Sequence, residues 1–60
     1  MSAGNIYVAI RDEGILKRGM VFTFLAHEKD YIYLWAHQPI LGMHQFKFEV
    51  ENVKRNFRIV

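Results

Sequence analysis

His44-Gln45-Phe46-Lys47-Phe48-Glu49-Val50, with Tyr31-Ile32-Tyr33-Leu34-Trp35-Ala36-His37 just before it, decides the fold of this chain. In the first stretch Phe46, Phe48 and Val50 alternate with Lys47, Glu49 and Glu51. A strand sends successive side chains to opposite faces, so this period of two marks a half-buried β-strand. The second stretch alternates Ile32, Leu34 and Ala36 with aromatic residues, and it is rich in the branched and aromatic side chains that suit a pleated surface. Working outward, Met20, Phe22 and Phe24 repeat the pattern, as do Ile6, Val8 and Ile10, and Phe57 with Ile59. Strands are expected over residues 6–10, 20–26, 31–37, 44–50 and 56–60, with Ile6, Val8 and Ile10 facing the core. Turn chemistry separates them: the charged Arg11-Asp12-Glu13-Gly14, then Lys17-Arg18-Gly19, then the polar hairpin His27-Glu28-Lys29-Asp30. Ile15 and Leu16, between the first two turns, are expected to tuck back toward the core. Pro39 and Gly42 break the chain into a loop over residues 38–43, and residues 51–55 have room for one short 3-10 turn. No segment carries a helical repeat of apolar residues. Five short strands at regular spacing imply an all-β chain, a single small antiparallel barrel, closed or nearly so.

Sixty residues make one small domain, over residues 6–60, after a polar lead-in at residues 1–5 expected to be flexible. A chain this short buries only about 60% of its unfolded surface, and with no cysteine it has no disulfide to help. Apolar area must carry the fold, which the 52% hydrophobic and 15% aromatic content supplies; homodimerisation is a second way to gain that area. The lead-in has no signal-peptide pattern and no apolar run reaches the roughly 18 residues of a transmembrane helix. The expectation is a cytoplasmic protein with no membrane partner. A net charge of +2 neither demands nor excludes a nucleic-acid partner.

The order of elements resembles an SH3-like small barrel. An apolar first strand leads through a charged excursion to Leu16-Lys17-Arg18-Gly19, then directly into a strand, a hairpin to Tyr31-Ile32-Tyr33-Leu34-Trp35, and a short closing strand at residues 56–60. The Leu-Lys-Arg-Gly step looks like the leucine-basic-glycine step before the second strand of SH3-like domains. The chain also looks like short accessory proteins of phages and prophages, in which a Lys-x-Gly-hydrophobic-x-aromatic start is followed by a Tyr-rich strand and an Asn-Phe ending. The resemblance implies a five-stranded antiparallel SH3-like barrel, and a phage protein that inhibits or modulates a host protein. The proline-peptide groove of signalling SH3 domains uses an acidic loop and paired tryptophans; Trp35 is single and late in its strand.

Catalytic chemistry has no foothold in these residues. There is no cysteine, Ser2 and Thr23 are the only hydroxyl nucleophiles of their kind, and the pairs Asp12–Glu13 and Glu49–Glu51 need a cleft to perturb them. The expectation is no enzyme, no catalytic residue and no cofactor. His27, His37 and His44 lie ten and seven residues apart without cysteine support, spacing unlike that of zinc ligands. His37 and His44 face each other only if the loop between them folds back, and no metal site is expected.

Binding is the better reading. If Ile32, Leu34 and Ala36 face inward, Tyr31, Tyr33 and Trp35 form an aromatic stripe on the opposite face, and Tyr7 has the parity to join it. Tyr and Trp combine large area with a polar tip, which marks contact surfaces. A thin, curved barrel that buries both faces produces the same pattern. The apolar Ile40, Leu41 and Met43 either close one end of the barrel or insert into a partner. These seven residues are the candidate contacts to a larger protein. The alternative is a nucleic-acid surface built from Lys17 and Arg18 with Lys54, Arg55 and Arg58, on which a backbone is neutralised while bases stack on the aromatic rings.

Overall fold

The computed structural model describes residues 5–60. Five strands and one helix follow in the order β1 (Ile6–Ala9), β2 (Val21–Glu28), β3 (Tyr31–Ile40), β4 (Met43–Glu49), α1 (Val50–Asn56) and β5 (Phe57–Ile59). All strands join one sheet in the order β4-β3-β2-β1-β5, every pairing antiparallel. The expected five-stranded antiparallel architecture is therefore present. Its closure is not: β4 and β5 are the two edges of the sheet and do not pair. α1 runs directly from one edge strand to the other and packs on β3, β4 and β5, so a helix fills the place where a barrel seam would close. Among the described residues no helix is long and apolar enough to cross a membrane.

The core is aromatic. Phe22 is fully buried and meets Phe57 at 5.3 Å and Phe48 at 6.1 Å, both edge-to-face. Leu16, Leu34, Ala36 and Val53 fill in around it. Leu16 tucks in as expected, whereas Ile15 remains exposed. Asp12 Oδ1 accepts the Arg18 backbone N–H at 2.8 Å, and Gly19, at φ 95°, donates its N–H to the Ala9 carbonyl. That conformation suits glycine and few other residues.

Four sequence expectations are corrected. The first concerns which side of β1 faces inward: Tyr7 and Ala9 are buried, while Ile6 and Val8 are half-buried on the outer face. Tyr7 stands opposite Phe22, and Ala9 opposite Phe57. Every residue from 6 to 10 is apolar, so period alone cannot orient this strand; register against its neighbours does. Second, Pro39 lies within β3. The β3–β4 register jumps between Trp35 and Ile40, and Pro39 falls in that irregular stretch, where its missing N–H interrupts no regular ladder. The loop contracts to Leu41 and Gly42. Third, the 3-10 turn is a seven-residue α-helix. Glu51 in its first turn and Lys54 and Arg55 in its last suit the helix dipole. Asn56 is fully buried at its end: Nδ2 donates to Asn52 Oδ1 at 2.7 Å, and its Oδ1 has no hydrogen-bond partner among the described residues. Fourth, Ile59 is exposed on the edge strand rather than facing the core. In the lead-in, the Asn5 carbonyl accepts the Phe24 N–H at 2.7 Å. The rest of the lead-in, residues 1–4, lies outside the described residues.

Candidate functional site

β3 runs through the middle of the sheet's wider half with two unlike faces. Ile32, Leu34 and Ala36 point into the core. Tyr31, Tyr33 and Trp35 occupy the outer face, with Tyr31 and Trp35 exposed and Tyr33 half-buried. The sheet buries only one face here, so the aromatic residues are not a second core.

Each ring is held by a neighbour. Trp35, 43% exposed, stacks on His44 at 4.8 Å with 11° between the ring planes. His44 Nδ1–H donates to the Ala36 carbonyl at 2.7 Å, which fixes the imidazole against the indole. Lys47 Nζ lies 4.6 Å from the centre of the Tyr31 ring, in cation–π geometry. The Tyr33 hydroxyl donates to Glu28 Oε1 at 3.4 Å. Side chains restrained before contact lose less entropy on binding.

Around the rings the outer face is mixed. Ile6, Thr23, Trp35 and Gln45 stand side by side across four strands, and Ala26, Tyr33 and Lys47 across three. Leu25, exposed at the irregularity between Phe24 and Ala26, adds apolar area beside Tyr33. The sequence signal for Leu25 was its parity: it shares the outward side of β2 with Thr23, where a polar residue is expected. At the far end of the hairpin Leu41 is 81% exposed, and Met43, paired with Ile40, is exposed as well.

Two candidate residues do not belong to this surface. Tyr7 is 7% exposed and packs on Phe24 and Phe57 in the core. Ile40 is buried as part of the core cluster. Tyr31, Tyr33, Trp35, Leu41 and Met43 remain together on one hairpin.

The basic residues divide around β1. Gly19 bonds to Ala9, and Ile10 donates to the Asn56 carbonyl, so Lys17 and Arg18 lie to one side of the β1 end and Lys54 and Arg55 to the other. Two strand spacings, about 10 Å, separate these flanks. Arg58 stands opposite Val8 on the outer face, and Lys54 pairs with Glu51 at 3.8 Å. Lys54, Arg55 and Arg58 border the narrow half of the sheet, whereas Arg18 lines a cleft with His37, Gln38 and Ile40 of β3. The histidines also take separate partners: His27 Nε2–H donates to the Lys29 carbonyl at 3.2 Å, His37 bonds Thr23 Oγ1 at 2.7 Å, and His44 holds Trp35.

No protein-family model matches the chain. Neither a curated protein nor a solved structure matches it.

Proposed function

We propose that this chain is a non-enzymatic protein-binding module that docks on a larger protein through the outer face of the β3–β4 hairpin. Tyr31, Tyr33 and Trp35 form the centre of the contact, and Leu41 and Met43 extend it at the tip. The observation that carries this reading is Leu41. An isobutyl side chain stands 81% exposed at φ 54°, a conformation that favours Asn or Gly. Nothing in the fold requires leucine there, and departures from local preference concentrate at functional sites. The restrained aromatic rings support the same face, since Tyr and Trp dominate the energetics of protein contacts. A phage-encoded inhibitor or modulator of a host protein, acting in the cytoplasm, is the narrower form that the resemblance adds.

Affinity capture from host lysate, with and without nuclease, tests the reading. Trp35→Ala and Tyr33→Ala, verified as folded by circular dichroism, should each lose the captured protein. Undiminished capture by both variants sinks the proposal. Capture that vanishes with nuclease, together with oligonucleotide binding that weakens steeply with salt, transfers the function to Lys17, Arg18, Lys54, Arg55 and Arg58.

A further inference from the structure

β4 is an edge of the sheet, and its free side presents main-chain groups in a definite order. The Val50 N–H bonds the Asp30 carbonyl, so Phe48 and Phe46 share its direction toward β3, while Gln45, Lys47 and Glu49 turn theirs outward. Phe46 and Phe48 pack on the core yet stay half-buried at this edge. The outer-face side chains of Lys47 and Glu49 are exposed, and among the described residues neither makes an ion pair. Lys47 lies over the Tyr31 ring, and Glu49, at the N-cap of α1, makes no capping hydrogen bond with its side chain.

Lys-x-Glu on an antiparallel edge is its own complement. A second copy related by a two-fold axis through Phe48 sets Lys47 opposite the other copy's Glu49, and Glu49 opposite its Lys47. Both pairs use outward main-chain groups, so each exchanges both of its ladder hydrogen bonds. Phe48 then meets its own counterpart and Phe46 meets Val50, which covers apolar surface that one chain leaves half-buried. The neighbouring axes fail on charge. One through Lys47 opposes two ammonium groups, and one through Glu49 opposes two carboxylates. One through Phe46 sets Lys47 against Gln45 and Glu49 against Met43. α1 begins at Val50 and ends the ladder there, which keeps the contact short.

We propose that β4 pairs with β4 of a second copy in this one register, forming a weak, reversible two-fold dimer with one sheet running through both chains. Lys47 selects the register. A strand arriving in any other alignment desolvates its charge without offering a carboxylate, so slipped and open-ended pairings are disfavoured. The axis stands perpendicular to the sheet, so the two aromatic faces look the same way and stay uncovered. The pairing therefore does not rest on the docking function of the outer face.

Sedimentation velocity of the full chain, in a concentration series up to about 1 mM, tests the proposal together with amide hydrogen exchange. The chain should show a monomer–dimer equilibrium that weakens as salt is raised. Exchange at the Lys47 and Glu49 amides should slow as the dimer fills, while the Phe46 and Phe48 amides, already bonded to β3, stay constant. Lys47→Glu and Glu49→Lys, verified as folded by circular dichroism, should each weaken dimerisation about tenfold, because attraction becomes repulsion at both symmetric contacts. An equimolar mixture of the two variants should restore the dimer, each supplying the charges the other lacks. The exchange measurement needs no variant, so it stands even where Glu49→Lys perturbs the start of α1. A chain that stays monomeric up to about 1 mM, exchange at Lys47 and Glu49 that ignores concentration, charge reversals without effect, or a mixture of folded variants that remains monomeric would each overturn the assignment.

Discussion

Leu41 and Tyr7 show how much one side chain's surroundings decide. Leu41 and Gly42, at φ 54° and 78°, form a two-residue hairpin with both residues left-handed, the geometry that Asn-Gly fills best. A leucine there strains the backbone and hides little of its apolar surface. Leu41→Asn should therefore raise stability by about 1 kcal/mol, read by urea unfolding, while lowering partner capture. Stability unchanged or reduced would show that the exposed leucine packs on something that matters to the fold. Tyr7 behaves in the opposite way. Tyr7→Ala removes a ring packed against Phe24 and Phe57 and should cost about 3–5 kcal/mol, enough to abolish the cooperative thermal transition of a domain this small. Tyr31→Ala, on the outer face, should change the transition little. The sequence treated Tyr7 and Tyr31 as alike because both occupy odd positions beside apolar neighbours. In residues 31–36 the aromatic parity differs from the aliphatic one, so orientation was legible. In residues 6–10 both parities are apolar, and only the pairing of Tyr7 with Phe22 distinguishes them.

At the scale of elements, strands were readable and their ends were not. β4 carries alternating charge and phenylalanine, and its inward Phe46 and Phe48 lie where the pattern puts them. β3 extends through Pro39 because its ladder with β4 is already irregular there, a tertiary circumstance with no trace in local composition. α1 was underestimated for a related reason. Its apolar contribution is Val50 and Val53, three residues apart, and its second buried position is a polar Asn56. A two-turn helix with so little apolar face is stabilised by what it covers, the gap between the β4 and β5 edges, more than by its own propensity. Val53→Ala should thus cost about 2 kcal/mol, near the full burial value of a valine side chain. Lys54→Ala, which removes only an exposed ion pair with Glu51, should cost a few tenths. Equal losses in the two variants, by chemical denaturation, would mean that α1 does not seal the core.

For the whole molecule, the open sheet poses a problem that a closed barrel avoids: β4 offers an unpaired edge along its length. The Val50 N–H points inward to the Asp30 carbonyl. Main-chain groups alternate in direction along an antiparallel strand, so those of Lys47 and Glu49 point away from β3 and, among the described residues, meet no further strand. Unprotected edges of this kind recruit second copies, and natural sheets counter it with lysine on the edge strand. Lys47 stands between Phe46 and Phe48, its ammonium drawn over the Tyr31 ring on the outer face. An arriving strand would have to desolvate that charge. Lys47→Val removes it and leaves three adjacent apolar residues of high strand propensity on a free edge. The variant should associate at lower concentration than the parent chain in sedimentation velocity, with little response to salt because the gain is apolar. Superimposable profiles would mean that the curl of the sheet and the helix beside β4, rather than Lys47, keep the edge from pairing.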